Sequence, residues 1–391
     1  MSIKFKLLAA MAALSLVLGA CGKAEETASK PKVENKEKSA EKKETEVKEK
    51  VAYADVFTEA TTELEKAKEG KEVDFDKVTD LYNKNFKELV QQRDAEFEDT
   101  IDEKITAALS AGKDGSMDKV VVKQLFDKLM QKVFYTSIKH DFTEVTEKWG
   151  NTEEVNAELE EAKNYYAILK TTVEKRDAAY GTTLVSVIDG GFSEIETAVK
   201  NNDQLGFNLG KQVVDKTLMK TFYLATGALP NGYATKAAAE AGKDAALAKV
   251  EQAEGWAFYQ SLSSYLSKHA ADETAFIEKQ FNLESDVKAV DPAAVNKAFV
   301  RGFAKIAIDE YGESKELFGE DKAVITGLEG ALFIDIIGED IKTLLGEDAY
   351  KTLTEKAQKY VETAKAKDKA AGEAQLNELI STLNTIVEKA K

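Results

Sequence analysis

Three glutamates head apolar helical stripes, and their type and spacing make them the residues best placed to do chemistry in this chain. In Val250–Ser267, Glu254, Phe258, Leu262 and Leu266 recur every fourth residue, which is one face of a helix, and Glu251 lies one turn earlier. At an offset of 93, Glu158, Glu161, Tyr165, Tyr166, Leu169, Val173 and Lys175 match Glu251, Glu254, Phe258, Tyr259, Leu262, Leu266 and Lys268. At an offset of 75 in the other direction, EGWAFYQSL faces EGALFIDII, with Glu329, Phe333, Ile337 and Ile341 on the same frame. A carboxylate among core residues must be paired, hydrogen-bonded or protonated, because an isolated buried charge costs several kcal/mol. The repeated glutamates therefore read in two ways. Either each answers a basic or hydroxyl neighbour inside its own unit, or Glu161, Glu254 and Glu329, with Glu158 and Glu251, form a site for a hard cation such as Ca²⁺ or iron.

The other chemistry-bearing residues are few. His140 and His269 are the two histidines, with no HxxxH or HExxH spacing, and each lies near a predicted helix C-terminus, where a structural or surface role is expected. No phosphate-cradling glycine loop, GxSxG elbow or CxxC pair is present, and Gly190-Gly191 reads as a turn. No nucleophile–base pair can be named, so the chain is expected to be non-catalytic. Thr326-Gly327-Leu328-Glu329 resembles part of the REGLE motif of high-affinity iron permeases, but Ile325 and Thr326 stand where that motif has its Arg and first Glu, so its metal-binding pattern is not intact.

The elements that must hold these residues are helices. Beyond residue 50 only Pro230 and Pro292 occur, Ala, Glu, Lys and Leu dominate, and the turn-and-alternation pattern of hairpins is missing. The periodicity predicts helices over 53–69, 75–95, 97–109, 117–138, 153–178, 295–311, 329–341, 349–364 and 373–389, with Asn151 an N-cap and AGKDG at 111–115 a breaker. GALPNGYATKAAAEAGKD, at 227–244, reads as an elaborated connection.

Internal echoes organise the helices. Arg176-Asp177-Ala178-Ala179-Tyr180 repeats Arg93-Asp94-Ala95-Glu96-Phe97. At a constant offset of 88, Lys211, Gln212, Asp215, Lys216, Lys220, Phe222 and Tyr223 repeat Lys123, Gln124, Asp127, Lys128, Lys132, Phe134 and Tyr135. The expected fold is all-α: an array of about three divergent helical-bundle repeats near 92–178, 176–272 and 280–345, closed by the last amphipathic pair. In the third unit Arg301 and Lys305 take the place of Lys128 and Lys132. Because the basic pairs lie off the apolar stripe, they are expected on a solvated helix face with carboxylate partners four residues away. Tyr165, Tyr166, Trp256, Phe258 and Tyr259 are expected in the core.

The ends and the charge bound the setting. Lys4 and Lys6 precede an apolar run, Leu7–Leu18, and Leu18-Gly19-Ala20-Cys21 resembles the lipobox of bacterial lipoproteins. The resemblance implies removal of residues 1–20 as a signal peptide and diacylglyceryl attachment to the thiol of Cys21, the single cysteine. Residues 21–50 then form a lipidated tether whose nine lysines and eight glutamates, with no aromatic, cannot offset the entropy of ordering. Residues 51–391 make up the folded all-α part. Removing the +2 of the signal's lysines and the +1 of the tether from the formal charge of −16 leaves −19 on that part, which argues against a nucleic-acid partner. The expected protein is a non-catalytic extracytoplasmic lipoprotein, held to the bacterial cell membrane by lipid and binding an envelope protein or a small ligand without a cofactor. The alternative is a metal-binding or metal-delivery lipoprotein using the repeated glutamates with Ca²⁺ or Fe. Lipid-anchored solute-binding proteins of transport systems are typically two-lobed α/β molecules, and this composition does not supply their strands.

Overall fold

A computed structural model describes residues Tyr53–Lys391, which form one compact unit. The signal peptide, Cys21 and the tether lie outside the described residues. Among the described residues there is no β-strand, and the fold is all-α. Helix α1 spans 53–65, followed by α2 (Phe75–Asn85), α3 (Lys87–Phe97), α4 (Ile101–Asp114), α5 (Lys119–Glu147), α6 (Thr152–Tyr180), α7 (Leu184–Lys200) and α8 (Gln204–Thr226). Then come α9 (Tyr233–Glu240), α10 (Ala245–His269), α11 (Ala271–Phe281), α12 (Pro292–Glu316), α13 (Asp321–Ile336), α14 (Gly338–Leu345), α15 (Glu347–Lys365) and α16 (Lys369–Lys389).

Asp and Asn caps start most of the long helices. Asp118 accepts from Val120 and Val121 N–H, Asn151 from Glu154, Asp203 from Gly206, Asp244 from Ala246 and Leu247, and Asp291 from Ala293 and Ala294 with Pro292 in the first turn. Two caps come from further away and give the Arg-Asp echo a structural meaning. Asp94, on α3, accepts from Ile101 and Asp102 N–H at the head of α4 (2.9 and 2.8 Å), and Asp177, on α6, accepts from Leu184 and Val185 N–H at the head of α7 (2.6 and 3.0 Å). In each case one carboxylate ends a helix and fixes the direction of the next.

The helices nest around α5, α8 and α12. Helix α5 packs on α6 and α10, α8 on α7 and α13, and α12 on α13 and α16. Where α7 meets α8 the backbones come close. A Cβ on Gly191 would lie 2.8 Å from Val214 Cγ2, and one on Gly210 2.8 Å from Ile195 Cγ1. Gly190-Gly191 is thus a close-packing site inside α7 and not the turn its composition predicts.

Several boundaries move. The helix expected over 75–95 is interrupted at Phe86, and α3 runs to Phe97, so α4 starts at Ile101 and carries most of AGKDG in its last turn. The stretch 329–341 divides at Ile337 between α13 and α14, and the 227–244 connection contains α9. The aromatic expectations hold for Tyr165, Tyr166, Phe258 and Tyr259, all buried, while Trp256 is half-buried and donates to Glu278 Oε1 at 3.0 Å.

The largest correction concerns the basic residues. Lys123, Lys128, Lys132, Lys216 and Lys220 are between 3% and 7% exposed, not on a solvated face. A stripe of apolar residues marks the buried side of a helix only when the other side meets water. Residues 121–138 of α5 and 213–226 of α8 are enclosed by neighbours all round, so residues off the stripe are also inside there. Their partners are divided: Lys123, Lys128 and Lys216 bind a carboxylate of their own helix, while Lys132 binds Asp99 in the turn after α3 and Lys220 reaches Asp335 of α13 at 2.8 Å. In the third unit Arg301 and Lys305 stay half-buried and share Glu273, at 3.0 and 2.6 Å.

Candidate functional site

The three stripe glutamates sit on α6, α10 and α13, each in a different set of partners. Glu161 accepts from the Tyr165 hydroxyl at 3.2 Å. It lies with Glu158, one turn earlier, and with the buried Asp141 of α5, so that one oxygen of each carboxylate falls within 4.8 Å of the others. Lys148 closes this group, 2.9 Å from Glu158 and 2.7 Å from Glu144. Its ammonium is held above the usual lysine range by the hydrogen bonds to Glu144 and Glu158. Three oxygen donors from two helices are a set that a hard divalent cation accepts, but coordination would draw Glu158 away from Lys148.

Glu254 is buried beside Tyr233, whose phenol is pushed up by burial and then by that carboxylate. Glu251, one turn before it, is raised by burial and then by the like charge of Glu254, and its Oε2 has no hydrogen-bond partner. No basic residue lies within salt-bridge distance of either carboxylate among the described residues.

Glu329 is paired across helices. Lys216 of α8 stands 3.1 Å from Glu329 and 2.7 Å from Asp215, whose other oxygen accepts from the Tyr135 hydroxyl at 2.6 Å. Burial pushes Asp215 up, but Lys216 and Lys139 hold it below the usual carboxylate range. Glu310, absent from the sequence reading, joins this group through the Tyr265 hydroxyl at 2.8 Å and is pushed up to about 7 by burial and by Glu329. The arrangement around Lys216 has a counterpart. Lys128 binds Asp127 at 2.8 Å and lies 5.3 Å from the Phe258 ring, as Lys216 lies 5.3 Å from Phe333. The offsets of 88 and 75 in sequence thus meet in one contact: the Lys of a central helix against the stripe Phe of the helix packed on it.

The structure therefore brings Glu158 and Glu161 together with Asp141, keeps Glu251 beside Glu254, and commits Glu329 to Lys216. It does not gather Glu161, Glu254 and Glu329 into one site: among the described residues, only the Asp141 group places three carboxylates close enough to share an ion. The histidines are each matched to one carboxylate, His140 Nδ1 to Glu96 and His269 Nδ1 to Asp309, both at 2.9 Å.

A groove missed in the sequence lies between the α3–α4 turn, α5 and α10. It encloses about 660 Å³. Glu96 to Asp99 form one wall, Lys132, Tyr135, Thr136 and Lys139 the floor, and the serine-rich face of α10 from Gln260 to Lys268 the other wall. On the floor, Lys132 is paired with Asp99, but the Lys139 ammonium makes no hydrogen bond or ion pair among the described residues. Its Nζ lies 5.6 Å from the Phe97 and Tyr135 ring centroids and 5.9 Å from that of Tyr265. Burial holds this amine below the usual lysine range, against the pull of Asp215. Ring faces at that distance return about 0.5–1 kcal/mol each, whereas withdrawing an ammonium from water costs several kcal/mol, so the rings soften the penalty without cancelling it. On the facing wall the Ser261 hydroxyl is buried and has no partner. The signal in the sequence is the run Ser261-Leu262-Ser263-Ser264-Tyr265-Leu266-Ser267, in which Ser264 and Ser267 lie off the core stripe and are exposed, while Ser261 lies at its buried edge. No protein-family model, curated protein or solved structure matches the chain.

Proposed function

We propose that the protein is a non-catalytic extracytoplasmic lipoprotein that binds a small polar ligand in the groove between α5 and α10, and that Cys21 carries the lipid that holds it to the cell membrane. The groove is the observation that carries the reading. It is roomy enough for a small molecule, lined by hydroxyls, by carboxylates and by lysines of which Lys139 and Lys268 have no ion pair among the described residues, and framed by helices on two sides. The lipobox resemblance supports the envelope location, and the strongly acidic folded part disfavours nucleic acid. The test is a thermal-shift screen of polar small molecules on the full chain and on Ser264→Trp, which fills the groove from its exposed rim. Compounds that raise the wild-type midpoint and not that of the variant support the reading. Equal shifts in both place binding elsewhere and refute it.

A metal-handling role is the second reading, favoured by the Asp141, Glu158 and Glu161 group. Ca²⁺ or Fe²⁺ would sit between α5 and α6 and compete with Lys148 for Glu158. The helices are further read as about three divergent units, near 92–178, 176–272 and 280–345, with α15 and α16 closing the array. Two relationships support this: the Asp94 and Asp177 caps, and the matching Lys128–Phe258 and Lys216–Phe333 contacts.

A further inference from the structure

We infer that the groove's ligand is a small soluble molecule carrying an oxyanion, a carboxylate or a phosphate group, which is received by the Lys139 ammonium and the Ser261 hydroxyl. The inference rests on the binding reading above and adds the chemical class of the ligand.

Four observations converge on it. Lys139 is the floor cation with no hydrogen bond or ion pair, while its neighbour Lys132 is already matched to Asp99. The carboxylate that acts most strongly on Lys139, Asp215, has both oxygens committed, one to the Tyr135 hydroxyl at 2.6 Å and the other to Lys216 at 2.7 Å. Lys216 and Lys268 repel the amine, and Glu329, the other carboxylate that attracts it, is paired with Lys216. Of the acids lining the groove, Asp99 is held by Lys132 and Glu96 lies against His140, while Glu98 has no such pairing. Ser261, which also lines the groove, is buried with an unmatched hydroxyl, a second donor that an oxyanion could satisfy. The rings of Phe97, Tyr135 and Tyr265 hold the amine in place while leaving it free to donate, because a ring face accepts no strong hydrogen bond. Lys139 is half-buried, and a partly desolvated cation kept without a partner lowers the stability of the empty protein, a cost recovered when an anion arrives.

The experiment is a calorimetric and thermal-shift titration of the full chain at constant ionic strength with three probes: acetate, its neutral isostere acetamide, and inorganic phosphate. Lys139→Met and Ser261→Ala are measured beside the wild type. The expected result is that acetate or phosphate binds and raises the wild-type midpoint, and acetamide does not. Lys139→Met should weaken that binding about tenfold or more while raising the midpoint of the unliganded protein, because it removes the uncompensated charge. Ser261→Ala should weaken binding less and leave the unliganded protein folded, which keeps the test valid should Lys139→Met repack the groove. Acetamide matching acetate, or anion binding undiminished in both variants, would overturn the oxyanion assignment while leaving a groove-binding protein. Absence of any effect from all three probes in the wild type would overturn it as well. The binding reading itself falls only if the wider screen also finds no compound sensitive to Ser264→Trp.

Discussion

Lys216 Nζ on α8 lies 3.1 Å from Glu329 Oε1 on α13. This contact decides how the third stripe glutamate is used. Its charge is answered across a helix interface by a lysine that is 3% exposed and that also holds Asp215. Such a pair fixes which helix faces meet, and its removal is expected to be asymmetric, because a lone buried charge costs more than a broken neutral bond. Glu329→Gln should lower unfolding free energy by about 1–3 kcal/mol. Lys216→Ala, which leaves Asp215 and Glu329 without their cation, should lower it by about 3–5 kcal/mol. Urea denaturation of both variants checks the order, and equal costs would show that the pair is not a buried ion pair.

The long-range caps make a second prediction. Asp94→Ala and Asp177→Ala should each cost about 0.5–2 kcal/mol, since each removes the acceptor for two N–H groups at a helix start. Hydrogen exchange should accelerate at Ile101 and Asp102 in the first variant and at Leu184 and Val185 in the second. Global loss of protection in place of these local changes would show that the carboxylates hold more than the caps.

Glu310 supplies a pH dependence. Its folded pKa, about 7, lies above the ordinary 4.5, so between those values the folded state binds more protons than the unfolded one. Stability attributable to this group is therefore present at and below the lower value, falls as pH rises through the window, and is level above about 7. The loss should be on the order of 1–3 kcal/mol. Urea midpoints from pH 5 to pH 8 should fall less steeply in Glu310→Gln. A slope identical to the wild type would remove Glu310 as its source.

Much of this fold was legible. The all-α class, the Asn151 cap, the closing helices and the core aromatics follow from periodicity and caps, which are local signals. The 88-residue echo between Asp127-Lys128 and Asp215-Lys216 pointed to a real shared contact, but its location was misjudged. Hydrophobic patterning assumes a water-facing side, and the middle stretches of α5 and α8, 121–138 and 213–226, have none, so paired lysines could be buried without leaving an apolar trace. The Phe97/Ile101 boundary was missed because the carboxylate that starts α4 belongs to the preceding helix. The groove was illegible for a different reason: residues 96–99, 132–139 and 260–268 meet only through packing, and Lys139 looks like any surface lysine until its partners are counted.

The metal reading makes its own prediction. If Asp141, Glu158 and Glu161 hold a cation, millimolar Ca²⁺ or Fe²⁺ should raise the wild-type melting midpoint, and Glu161→Gln should abolish the rise. Glu254→Gln, whose side chain stands apart from that group, should leave the cation response intact. A wild-type midpoint that ignores every cation tested removes this reading and leaves the groove as the binding site; with Lys148 already on Glu158, that is the expected result.

The groove's role is tested most directly by the reactivity of Lys139 itself. The full chain is treated with an amine-acylating reagent, and modification of the Lys139 peptide is followed by mass spectrometry with and without inorganic phosphate or acetate at constant ionic strength. The account predicts that an oxyanion slows acylation at Lys139 while the exposed Lys84 reacts at the same rate in every condition. Equal rates at Lys139 with and without these anions would contradict it.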